Sequence, residues 1–253
     1  MEAVQSIQRI IVQASRSSIN DSPLSTPGFS WMSSQQLMYL RGFLLLFDVL
    51  IGGNALSITG IAKFPFYLSP QGVVWSILTE YLLFASHFRT FDQRYENLVK
   101  AMFEMSTIIQ TLITVYYWTL LYKPGKFDFK NIVAWQLTVM MHVTPILTMF
   151  IEMIFNNIIF DWKKGWLRVI YPLIVYCPMQ IFAKDIMGKN PYGSIDLTKM
   201  NFYIFQAIVL VATIFMYFTI AFVNNLAKSG SGSSLNDIKQ LVTQDYKYLV
   251  DLI

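Results

Sequence analysis

Six predominantly apolar stretches run along the chain, near 37–61, 70–88, 101–122, 132–156, 166–183 and 200–226, each set off from the next by polar residues. A bilayer core of about 30 Å takes roughly 20 apolar residues per helix, so the pattern predicts an all-α integral membrane bundle of six transmembrane helices. Six crossings put both termini on one side. That side would hold twelve of the 19 Lys and Arg residues, a bias that favours both termini inside.

The two ends depart from this pattern and divide the chain into an extension over 1–36, a helical domain over 37–226 and a tail over 227–253. From Ala3 to Asn20 no acidic residue occurs, Arg9 and Arg16 recur among serines, and Ile7, Ile10, Ile11 and Ala14 fall at helical spacing. The stretch reads as a mitochondrial presequence or as an amphipathic helix lying on the membrane surface. Ser22-Pro23 and Thr26-Pro27 then predict a loop, because each proline disfavours helical geometry in the residue before it. At the other end Ser229-Gly-Ser-Gly-Ser-Ser234 is a flexible linker, followed by Leu235, Ile238, Val242, Leu249 and Leu252 on one helical face. Both extensions suit a partner or a membrane face.

Composition agrees, with 55% hydrophobic and only 13% charged residues among 253, more apolar than a soluble surface sustains. The net charge of +4 is spread without a dense basic block, which argues against nucleic acid and for anionic lipid headgroups. One cysteine, Cys177, and two histidines offer no spacing suited to a metal site or an intrachain disulfide, and no cofactor motif occurs.

Ionisable groups inside apolar helices need partners, since a central Asp or Lys costs about 2.5–3.5 kcal/mol on insertion scales. Asp48, Glu80, Glu104, His142 and Glu152 qualify. Arg41 and Asp48 share a face but lie about 10 Å apart along the axis, so each is expected to find a partner on another helix. In the fourth stretch Thr138, His142, Pro145, Met149 and Glu152 fall within about 80° at 100° per residue, one inward stripe. Pro145 predicts a kink beside His142 and a carbonyl free to accept from the imidazole.

Thr79 lies in a helix parallel to the one carrying His142. Counted from Gly72 and Ile132, Thr79 sits about 10 Å deep and His142 about 15 Å, so the two could meet. A threonine hydroxyl becomes a nucleophile when an adjacent base takes its proton, and a neutral imidazole in hydrocarbon is such a base. Membrane threonines more often bond a carbonyl of their own helix.

Met141-His142 followed by Ile151-Glu152-Met153, Leu78-Thr79, Tyr117-Trp118 and Val223-Asn224-Asn225 occur in an order that resembles the androgen-induced membrane hydrolases over roughly residues 72–226. The fifth helix lacks the histidines of that pattern, and Gly188-Lys-Asn-Pro-Tyr-Gly193 replaces its Tyr-Pro context. The resemblance implies six helices and a threonine hydrolase of fatty acid esters of hydroxy fatty acids, with Thr79 as nucleophile and His142 as base.

On that reading the acyl chain would lie among Phe84, Tyr117 and Trp118, with Asn54, Gln110 and Thr138 as possible oxyanion donors. Glu152, about 15 Å along the helix from His142, would be structural or line a polar path. The alternative is a non-catalytic accessory subunit that uses 1–36 and 227–253 to dock on a larger membrane complex, the respiratory chain being the natural candidate. A carrier with Asp48, Glu80 and Glu152 as a polar path lacks the internal repeat such proteins carry.

Overall fold

The structure, a computed structural model, describes residues 22, 24–59, 64–89, 92–122, 138–188 and 200–229. The expected presequence-like helix, the linker after Ser229 and the tail helix lie outside these residues. Six helices account for most of what is described: α1 (Ser34–Thr59), α2 (Leu68–Ala85), α3 (Gln93–Tyr116), α4 (Thr144–Phe155), α5 (Gly165–Met187) and α6 (Met200–Ser229). Four segments are long and apolar enough to cross a membrane: Ser34–Asn54, Gln93–Leu121, Thr138–Phe155 and Tyr203–Ser229.

Local chemistry sets the helix ends. Ser33 and Gln36 form a reciprocal capping box at α1, the Gln36 amide donating to Ser33 Oγ at 3.2 Å and the Ser33 amide to Gln36 Oε1 at 2.8 Å. Asp92 caps α3 by accepting from the Tyr95 amide at 2.9 Å. Gly188 ends α5 with φ of 67°, the left-handed conformation that a residue without a Cβ adopts at least cost. After α3 the backbone continues as a π turn over Tyr117–Leu121. A helical turn over 138–142 precedes α4, and the helix breaks at Val143 (φ −123°, ψ −47°), two residues before Pro145. Proline supplies no amide and crowds the carbonyl one turn back, which accounts for the break where the sequence predicts it.

Helix α3 is the centre of the bundle. It packs on α2, α4, α5 and α6, and two-thirds (67%) of its apolar window is buried, against 17% for α6. Its Phe103, Ile108, Ile109 and Ile113 form one core with Leu83, Met149, Val169, Tyr217 and Ala221. The outward faces carry Phe43, Tyr171, Val211 and Phe215, all more than three-fifths exposed. Apolar surface on that scale fits hydrocarbon contact and an integral membrane protein.

Residues 24–33 fall in the predicted loop and dock across one end of the bundle. Leu24 is fully buried, the Gly28 amide donates to the Phe155 carbonyl at 2.7 Å, and Pro27 bridges to Asn156. At the same end the side chains of Asn224 and Asn225 clasp the backbone of Ile158 and Phe160 as the chain leaves α4.

Candidate functional site

Thr79 and His142 stand at different levels of the bundle. Thr79 is fully buried, and its hydroxyl lies 2.7 Å from the Ser106 hydroxyl of α3. Its bond crosses to another helix rather than returning to α2. The His142 ring stacks on Tyr117 with centroids 3.7 Å apart and planes within 8°, and its Nδ1 lies 3.5 Å from the hydroxyl of Ser69. Ser69 is ten residues before Thr79 on α2, about 15 Å along the axis. The expected meeting of Thr79 and His142 is therefore not formed in this structure. The depth count placed the entry of the second helix at Gly72, whereas α2 begins at Leu68.

The remaining predicted residues are likewise held apart. Gln110 donates to Ser76 Oγ at 2.8 Å, Asn54 is exposed with its amide 3.9 Å from the Met140 sulfur, and Thr138 lies 3.3 Å from the Tyr117 hydroxyl. Gln110 thus lies one turn of α3 from Ser106, the partner of Thr79, whereas Thr138 joins Tyr117 at the level of His142. Phe84 packs on Gly42 and Phe88 toward the loop-covered end, away from Tyr117 and the partly exposed Trp118 at the other. Next to the Met141 carbonyl, which Pro145 leaves without its helical donor, the His142 carbonyl accepts from Thr114 Oγ1 at 2.7 Å.

A small cavity of about 50 Å³, partly open to the outside, lies beside His142. Leu112, Ile113, Tyr116 and Phe205 make it apolar, with Ser69, Gln180 and Gln206 as polar contributions. The π turn after Tyr116 places Tyr117 over the imidazole. Ser69 was not legible as a site residue, since Leu68-Ser69-Pro70 reads as an ordinary helix start. Thr79 does not line this cavity.

Most of the buried charge lies elsewhere, between α1, α2, α4 and α6. Arg41, with no exposed surface, donates from Nε at 3.0 Å and Nη2 at 2.5 Å to Glu152 Oε1, and from Nη1 to the carbonyls of Leu24 at 2.5 Å and Leu83 at 3.2 Å. Asn156 also donates to Glu152 Oε1, at 3.2 Å, and accepts from Lys228 Nζ at 2.7 Å. Asp48 accepts from Thr148 Oγ1 at 3.0 Å. Both expected cross-helix partners are thus present on α4, Glu152 for Arg41 and Thr148 for Asp48. In the turn after α2, His87 Nε2 lies 2.9 Å from Arg41 Nη1, and burial together with that guanidinium lowers its imidazole to about 4. Glu104 belongs to a second cluster, where it accepts from the Asp161 amide at 2.8 Å and faces Tyr217 and Arg168.

Among the described residues no group of three His, Cys, Asp or Glu side chains is placed to hold a metal ion. No family model, curated protein or solved structure matches the chain.

Proposed function

We propose that this chain is a six-span integral membrane protein serving as a non-catalytic subunit of a larger membrane assembly. The observation that supports this reading is the separation of the two hydroxyls: Thr79 is committed to Ser106, while the group beside His142 is Ser69. The nucleophile and base that the resemblance to the androgen-induced hydrolases implies are not in reach of each other. The extensions over 1–36 and 227–253 provide the docking segments. The acid-free, arginine-bearing stretch from Ala3 to Asn20 suits the mitochondrial inner membrane, with a respiratory-chain complex as the partner class.

One observation favours a second reading. Ser69 Oγ and His142 Nδ1, 3.5 Å apart on an apolar cavity, could act as a nucleophile and base on a lipid ester, since catalytic hydrogen bonds often shorten only when substrate binds. Labelling with a lipid-like fluorophosphonate, followed by native electrophoresis of the membranes, separates the two. The subunit reading expects no labelling and migration well above the 29.3 kDa of the chain. Labelling abolished by Ser69→Ala and His142→Ala would overturn it in favour of the serine, and labelling abolished by Thr79→Ala in favour of the threonine.

A further inference from the structure

Asp48, Glu80 and Glu152 converge from α1, α2 and α4. Gly42 faces Phe84 and Gly52 faces Val73 and Ile77, so Glu80 stands between the levels of Arg41 and Asp48. The charged groups that act on it are Glu152, Asp48 and Arg41. From α3, which packs on the other side of α2, the groups turned toward α2 are the neutral Ser106 and Gln110. From α6, Lys228 reaches the cluster through Asn156, and from the turn after α2, His87 meets Arg41.

Two features of this cluster point to a ligand. Glu80 has no exposed surface, and neither of its oxygens has a hydrogen-bond partner among the described residues; Asp48 Oδ1 and Glu152 Oε2 are also buried without one. Among the described residues the charges do not balance either: three carboxylates face the guanidinium of Arg41, while Lys228 reaches them only through Asn156 and His87 adds no charge. A net charge in a low-dielectric interior costs several kcal/mol, so such sites gain a counter-charge or give one up.

We propose that the cluster binds one exchangeable monovalent cation at Glu80, and that this cation is a proton. A protonated Glu80 removes one negative charge from the set and turns an unpartnered carboxylate into a neutral acid. The site lies under the loop over 24–33, whose Leu24 carbonyl closes on Arg41, so exchange with solvent is slow compared with a surface carboxyl. Neither the subunit reading nor the hydrolase reading is needed for it.

The test is infrared spectroscopy of the purified full chain in lipid nanodiscs, combined with melting in sodium chloride and in choline chloride. The expected result at neutral pH is a carboxylic acid carbonyl band that shifts on transfer to D2O, is absent from Glu80→Gln and is retained in Asp48→Asn. The melting temperature of Glu80→Gln should stay near that of the wild type, because the amide has the shape of the protonated acid. Absence of the band, with melting raised by sodium in the wild type and not in Glu80→Gln, would keep the cation site and replace the proton by an alkali ion. A band lost in Asp48→Asn instead, or neither a band nor a sodium effect, would overturn the assignment to Glu80. Should Glu80→Gln not fold, the D2O shift and the sodium comparison on the wild type still decide whether a cation is bound.

Discussion

Arg41 makes more polar contacts than any stability argument based on a single ion pair would require. It satisfies the Leu24 and Leu83 carbonyls, meets His87, and forms the ion pair with Glu152. Removing one partner of a buried pair leaves the other charge without compensation, which costs about 3–5 kcal/mol, whereas replacing both by apolar groups is often neutral. Glu152→Met and Arg41→Met should therefore each lower the melting temperature of the detergent-solubilised protein sharply. The double variant should recover much of the loss, and additive losses would show that the pair is not the coupled unit described here. At this scale the sequence showed which residues needed partners, because an ionisable group in an apolar run always does. It did not show the partners, since Arg41 and Glu152 are 111 residues apart and Asp48 and Thr148 are 100 apart. The Thr79 and His142 pairing failed for a related reason: an error of a few residues in where each helix enters the membrane moves a side chain by 1.5 Å per residue.

The six apolar stretches and the six helices coincide to within a few residues at most ends, and the differences have local causes. Helix α3 starts at Gln93 rather than near 101 because Asp92 caps a polar first turn that apolarity alone does not reveal. The break before α4 was legible from Pro145, while the π turn after Tyr116 left no sequence signal. One junction depends on a glycine that neither periodicity nor apolarity singles out. At Gly165, the first residue of α5, a Cβ would collide with the Tyr217 hydroxyl, which lies 2.7 Å from the Asp161 carbonyl and 3.2 Å from Glu104 Oε2. Gly165→Ala should displace Tyr217 and leave Glu104 short of a partner, a loss on the order of 1–3 kcal/mol. The same Cβ would also meet the Tyr217 ring and Glu104 Oε2, so Gly165→Ala should melt below the wild type, and an undisturbed Gly165→Ala would refute the collision.

Whether all six helices cross the bilayer is a property of the whole molecule, and the packing bears on it more than hydropathy does. Helix α2, with 18 residues, is about 27 Å long, close to the hydrocarbon thickness. It lies along α1 from the contact of Gly42 with Phe84 to that of Gly52 with Val73 and Ile77, and the prediction is that α2 crosses wherever α1 does. Its polar groups, Ser76, Thr79 and Glu80, are buried inside the bundle and do not face lipid, which explains why a window average scores it below α1. Helix α5 is about 35 Å long, and Tyr176 fastens it to the Phe66 carbonyl at 2.8 Å, beside the start of α2. With Cys177 replaced by serine, cysteines introduced at Ser57 and at Arg89, at the exposed ends of α1 and α2, should label with a membrane-impermeant maleimide from opposite faces. Cysteines at Arg89 and Ser30 should label from the same face, because the loop over 24–33 covers the end of the bundle where α2 finishes. Labelling of Ser57→Cys and Arg89→Cys from one face would mean that α2 does not cross. The chain would then cross fewer times, and the buried cluster around Glu80 would lie at the membrane surface rather than within it.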